Sequence, residues 1–242
     1  MCNLYTQKLG PKALMAASGT ERSLVGNLQT GDVYPDYEAP IIRTAEDGVR
    51  ELALARWGMP SSRKAIFDAA TNRADKLRAK GKEVDFDELL RMEPDKGTTN
   101  VRNTSSRHWQ PWLTLEHRCL VPFTAFSEPG RVNGQYAPVW FKLDSEEDEP
   151  LGFFAGIHLR GWGGVRKIKT GWEEIDLFAF LTTDPVEPVK SVHPKAMPVI
   201  LNTADDQNLW MSGEWAEVAH LQSDEASKTQ LVRFSRDRLQ SV

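Results

Sequence analysis

The chain has 242 residues, of which 40% are hydrophobic and 26% charged, with a formal net charge of −4. That is enough chain for one large domain or two small ones with a real core, and the balance is that of a soluble globular protein rather than a globally basic nucleic-acid coat. No apolar run approaches the roughly 20 residues a membrane helix needs, no apolar leader marks a signal peptide, and two cysteines without CxxC or HExxH spacing leave neither a disulfide framework nor a metal motif. The expectation is a reducing, cytoplasmic compartment.

In chain order, the first notable position is Cys2. If Met1 is removed, this residue carries a free amine and a thiol on adjacent carbons. Such a group can act as an N-terminal nucleophile, the amine serving as base for its own thiol. It can also capture an aldehyde, the amine forming an imine and the thiol closing a five-membered thiazolidine. Both groups titrate near neutral pH when unperturbed. A bland alternative is that a small second residue merely permits methionine removal.

APIIR (39–43) is the first strand-like run. WGMP (57–60) then precedes a charged stretch, 61–97, that reads as a helical insertion. Residues 61–82 alone hold seven Lys or Arg against two Asp. Helices are predicted over 64–80 and 84–92. A second basic segment, with Arg160, Arg166, Lys167 and Lys169, lies in 156–172. Either patch could steer a polyanion or be a solvated face. Further strands are predicted at RCLVPFTAF (118–126), YAPVWFKL (136–143), PLGFFAGIHL (150–159), DLFAFLTT (176–183) and AMPVIL (196–201). Asn202 or Thr203 is expected to cap a helix through ADDQNLWM, with Asp205 and Asp206 in its first turn. The sum is an α+β domain with a strand-rich core.

Candidate partners for Cys2 follow from residue chemistry. Asn100 is a neutral amide able to orient a carbonyl or hydroxyl. Arg102 is a fixed cation suited to phosphate. Glu128, at the end of an apolar run, is a carboxylate whose pKa burial could raise into the acid–base range. His193, before AMPVIL, can shuttle protons near neutral pH. Each has a plainer reading as a turn or surface residue. Trp57 could stack on bases or fill the core. Cys119, inside RCLVPF, reads as a small buried hydrophobe.

Taken together, MC with Tyr5, the DVYPDYEAPIIR segment, RWGMP, TNVRN, RCLVPFTAFSE and SVHPKAMPVIL resemble, in order, the motifs of the SOS response-associated peptidase (SRAP) family. The resemblance implies a single domain over 1–242 with mixed and antiparallel sheets forming a barrel-like core and peripheral helices. It implies covalent attachment of Cys2 to abasic sites in single-stranded DNA after loss of Met1, by self-processing. An N-terminal-nucleophile amidohydrolase is the alternative function. Under the resemblance Cys2, Asn100, Glu128 and His193 are catalytic, and Arg102, Trp57 and Pro35 contact DNA. No cofactor or metal, no membrane and a monomeric protein are expected. The chain departs from the family pattern at Asn3 and Leu4, where Gly-Arg is usual, and at Pro129, where tryptophan is common.

Overall fold

The computed structural model describes residues 2–132, 134–223 and 229–236. The predicted apolar runs become strands, but two of them break. RCLVPFTAF divides at Thr124, and AMPVIL divides at Val199. In chain order the elements begin with β1 (Leu4–Gln7), α1 (Pro11–Ser18), β2 (Arg22–Ser23), β3 (Gly31–Val33), β4 (Glu38–Thr44) and β5 (Arg50–Trp57). Then come α2 (Arg63–Arg78), α3 (Phe86–Arg91), β6 (Asn100–Val101), β7 (Arg118–Phe123), β8 (Ala125–Val132) and β9 (Gln135–Leu143). The rest are β10 (Gly152–Val165), β11 (Trp172–Thr183), β12 (Met197–Pro198), β13 (Ile200–Leu201), α4 (Ala204–Ser212), α5 (Trp215–Val218) and β14 (Leu231–Phe234).

Two sheets carry the architecture. One runs β14-β9-β8-β1-β3 and is antiparallel throughout. In the other, β5, β4, β7, β10 and β11 pair in succession, and β11 returns to β5 through a parallel contact, Leu177 opposite Arg56 and Phe178 opposite Trp57. This closes a five-stranded barrel and removes its edges. The expected barrel-like α+β core is therefore present, with the short strands β2, β6, β12 and β13 attached outside it.

The period-2 alternation of the barrel strands sorts their side chains into two clusters. Ile41, Ala53, Ala55, Trp57, Phe154, Phe178 and Phe180 pack with Cys2, Tyr5 and Phe126 of the other sheet. Ile42, Leu52, Leu120, Ile157, Leu177 and Ala179 pack with Leu14 of α1 and Trp210 of α4. The predicted cap of α4 is Thr203. Its hydroxyl accepts from the Asp206 backbone N–H, and Asp206 reaches back to the Thr203 N–H, an arrangement worth about 1 kcal/mol.

Residues 61–97 do contain the two expected helices, slightly shorter than predicted. Ser62 caps α2, and Lys76 and Arg78 face its negative C-terminal end. Phe67 and Phe86 meet edge-to-face with centroids 5.4 Å apart, joining α2 to α3. The segment leaves and returns through a narrow neck. Asp95 accepts from the Ser61 backbone N–H at 2.9 Å and from its hydroxyl at 2.6 Å. Met59 and Thr98 form a backbone bridge. Gly58 and Gly97 touch backbone to backbone, where a Cβ on Gly97 would stand 3.0 Å from the Gly58 Cα. The buried Arg166 guanidinium spans the neck, donating to the carbonyls of Asp95 and Gly58.

Candidate active site

Cys2 is held by its neighbours in β1. Tyr5 pairs with Phe126 of β8 and, on the other side, with Val33 of β3, while the Ser127 hydroxyl donates to the Leu4 carbonyl at 3.2 Å. The start of the chain is thus locked between two strands. Cys2 is fully buried, not exposed as an accessible thiol would be. Burial, and then the nearby Glu128 carboxylate, push its thiol pKa well above the ordinary value. The sulfur is protonated at neutral pH.

Asn100 also reaches residue 2. Its Nδ2 donates to the Cys2 carbonyl oxygen at 2.8 Å and to the Thr99 hydroxyl at 2.8 Å. β6 is fixed by its parallel pairing with β11, Asn100 opposite Phe180. The Trp57 indole N–H donates to the Thr99 carbonyl at 3.0 Å. Thr99 is therefore a positioning residue for Asn100, and no sequence signal beyond its adjacency marked it.

Glu128 lies on β8 beside the Ser127–Leu4 pairing, wholly buried. Burial pushes its pKa up to about 7, against smaller opposing effects, first of the chain's α-amino group and last of the Cys2 backbone N–H. Residue 2 thus has its carbonyl held by Asn100 and the Glu128 carboxylate close enough to act on its thiol.

His193 completes the group. Its Nδ1 is 3.0 Å from the Ala196 carbonyl and 3.3 Å from Glu128 Oε2. A carbonyl only accepts, so Nδ1 carries the proton and Nε2 is the basic nitrogen. Burial holds the imidazole pKa below its usual value, so the ring is neutral at neutral pH. The loop bearing His193 seats against β8 because Gly130 leaves room. A Cβ there would lie 2.6 Å from side-chain carbons of both Val139 and Val192.

Cys2, Asn100, Glu128 and His193 are therefore brought together. The residues expected to touch DNA fare differently. Arg102 is exposed and pairs with Asp184 on the surface. Pro35 sits at the tip of a tight turn closed by the Tyr37 N–H on the Tyr34 carbonyl at 3.0 Å. Asp36 follows it at φ 68°, the positive value that position i+2 of a type II turn demands. Its carboxylate lies 3.0 Å from Lys167 Nζ and 3.8 Å from Arg56 Nη1. The turn displays Tyr34 and Tyr37, with ring centroids 5.5 Å apart, both well exposed.

Trp57 is a correction. It is only 1% exposed, its ring stacking on Phe180 at 5.2 Å and meeting Tyr5 edge-on at 5.2 Å. The alternation that buries Ala53 and Ala55 carries Trp57 to the same face, leaving no ring surface for a base. The exposed tyrosines on either side of Pro35 and Asp36 were not singled out in the sequence, although a proline between aromatics at a turn was a usable signal. Cys119 is buried beneath Gly156, as its apolar setting predicted. Among the described residues no group of three or more metal-ligating side chains occurs, and no helix is long and apolar enough to cross a membrane.

Comparison with known proteins places the chain. A protein from Bacteroides thetaiotaomicron aligns with a TM-score of 0.64 at 22% identity, covering 100% of this chain and 95% of that one. A protein from Bordetella bronchiseptica gives 0.60 at 22% identity, covering 97% and 100%. A phage-related protein from the same organism gives 0.59 at 18%, covering 97% and 95%. These likenesses establish a shared fold. No curated protein matches the chain. The family model described as SOS response associated peptidase (SRAP) matches residues 1–237, a span that includes the barrel and all four clustered side chains, and the chain belongs to that family.

Proposed function

We propose that the chain, once relieved of Met1, uses Cys2 to form a covalent thiazolidine with abasic sites in single-stranded DNA. The observation that carries this reading is the gathering of Asn100, bonded to the Cys2 carbonyl oxygen, with the buried Glu128 carboxylate and His193, whose Nδ1 is 3.3 Å from Glu128 Oε2. Hydrolysis of the Met1–Cys2 bond consumes one water and requires a proton on the departing Cys2 nitrogen. Glu128, beside residue 2 and with its pKa raised by burial to about 7, is the group to deliver it. The same placement supports self-removal of Met1.

An abasic deoxyribose exists partly as an open-chain aldehyde. His193 promotes opening by accepting the C1′ hydroxyl proton on Nε2 and returning a proton to the ring oxygen. The Cys2 amine then attacks C1′. Glu128 protonates the hydroxyl of that adduct, which leaves as water, and a protonated imine forms. The Cys2 sulfur adds to the imine carbon, making the C–S bond, while its proton returns to the Glu128 carboxylate. One water is lost overall and no oxidant or reductant is needed. The high thiol pKa fits this order, amine first and sulfur second, because the sulfur needs a base to become nucleophilic.

A single strand suits this chemistry, since C1′ is hard to reach inside a stacked duplex. The exposed Tyr34–Tyr37 turn offers sequence-tolerant stacking, and Arg102 offers phosphate contact. The test is to incubate the purified protein with a single-stranded oligonucleotide containing uracil, with and without uracil glycosylase. A slower band on a denaturing gel only with the glycosylase supports the reading. Its absence from protein whose intact mass shows that Met1 is gone refutes it.

A further inference from the structure

A groove of about 1010 Å³ lies between the 61–97 helical segment and the β10–β11 hairpin. It is separate from the Cys2 cluster, and its walls come from two segments that stand apart in sequence. On one wall are Phe67 and Arg63 of α2 and Arg91 of α3. On the other are Trp162 and Trp172 of the hairpin.

The tryptophans are displayed by glycine. A Cβ on Gly163 would stand 2.9 Å from the Trp172 ring, and one on Gly164 would stand 2.2 Å from the Trp162 ring. Each indole therefore packs directly against glycine backbone. Trp172 is 58% exposed and Phe67 50% exposed, a large apolar area to leave in water. The guanidinium of Arg166 covers Trp162 at 4.6 Å.

The charges on the groove are uneven. Its acids have internal partners: Asp68 with Lys64, Glu93 with Arg73, and Asp95 with Ser61 and Gly97. Arg63 and Arg91 are exposed, and among the described residues neither forms an ion pair. Flat ring faces beside unneutralised guanidinium groups are the components of a sequence-tolerant single-strand site. The neck connects this groove to the reactive centre. Asp95 on its wall is five residues from Asn100, so the two are at most about 18 Å apart along the chain, a distance of a few nucleotides.

We infer that this groove is a second contact for single-stranded DNA, stacking unmodified bases on Trp172 and Phe67 and taking phosphates on Arg63 and Arg91. The inference deepens the proposed function and rests on it for the identity of the strand, but its test needs no abasic site. Fluorescence anisotropy with an undamaged labelled oligonucleotide measures affinity directly, across a salt series and for strands from a few nucleotides to about twenty.

The wild type is expected to bind longer strands more tightly than short ones, and Trp172→Ala to weaken the long-strand affinity about 5- to 100-fold. Arg63→Gln with Arg91→Gln is expected to lower the salt slope by about 0.7 for each phosphate that is no longer neutralised. Tyr136→Ala, at an exposed ring outside the groove, is the control expected to leave affinity unchanged. Thermal melting verifies that each variant folds. Affinity within twofold of wild type in both Trp172→Ala and the double arginine variant overturns the groove, even if abasic strands are crosslinked. Groove-dependent binding by a Met1-free chain that forms no covalent product supports the groove and refutes the Cys2 chemistry alone.

Discussion

The side-chain amide of Asn100 donates to the main-chain carbonyl of Cys2 at 2.8 Å, across 98 residues of sequence. The contact is buried and orients residue 2 about its own backbone. Asn100→Ala strands the carbonyl and lets the amine drift, a loss of about 1–3 kcal/mol. Crosslinking of abasic strands is expected to slow about 5- to 150-fold. The fraction of purified protein retaining Met1, read by intact mass, is expected to rise. A wild-type rate in a fully processed Asn100→Ala protein removes Asn100 from the mechanism.

The proposed chemistry gives the sulfur and nitrogen of Cys2 separable roles. Cys2→Ser keeps the amine but not a competent second nucleophile, so it is expected to form an imine that borohydride reduction traps and that otherwise dissociates. A stable product in wild-type yield without reductant would remove the role given to sulfur.

Glu128 gives a pH signature with a definite sign. Its folded pKa of about 7 exceeds the ordinary carboxylate value of 4.5, so between these values the native state binds more protons than the unfolded chain. Its contribution to stability therefore falls as pH rises from about 4.5 to 7 and is flat above. The cost is on the order of 3 kcal/mol. Glu128→Gln is expected to gain stability relative to wild type above pH 7 in denaturant titrations. It is also expected to slow crosslinking 10²- to 10⁴-fold. Parallel stability profiles for the two proteins from pH 4.5 to 8 would refute the raised pKa.

Trp57 and Tyr37 separate packing from binding. Trp57→Ala opens a core cavity and breaks the indole bond to Thr99, so a loss of about 3–5 kcal/mol in unfolding free energy is expected. Tyr37→Ala removes a ring that is 56% exposed and is expected to change stability by less than about 0.5 kcal/mol while weakening single-strand affinity. The reverse pattern would return Trp57 to the DNA surface.

Arg102 faces solvent with Asp184 as its partner. Arg102→Gln is expected to weaken binding to all single strands alike and to reduce the salt slope by about 0.7. Asp184→Asn frees the same guanidinium and is expected to tighten binding. An unchanged slope in Arg102→Gln shows that no phosphate sits there.

Much of the barrel was legible because its strands are continuous apolar runs, Phe153 and Phe154 in β10 and Phe178 and Phe180 in β11 among them. β5 was not, because Arg50, Glu51 and Arg56 interrupt it. The structure shows why those charges are tolerated: Glu51 is 4% exposed yet paired with Arg43 at 2.9 Å, and Arg43 in turn with Asp176. β1 was missed for a related reason. LYTQ is short and half polar, and its burial follows from pairing with β8 and β3, which no local pattern encodes. α1 did carry a local signal, Pro11 at its first position and Gly19 beyond its end. For the site, residue chemistry made Asn100, Glu128 and His193 candidates beside plainer readings and the family resemblance singled them out, but only tertiary structure brings them to one point. Trp57 went the other way, since its place in the alternation of β5 already turned it inward.

The four side chains come from residues 2, 100, 128 and 193, and the first is sewn between strands made much later. A chain that stops short of β8 lacks both Glu128 and the strand that holds β1 in place, so the cluster exists only in a chain folded through residue 193. If Met1 leaves by the proposed route, the aminothiol is uncovered only where the acid–base pair already stands beside it.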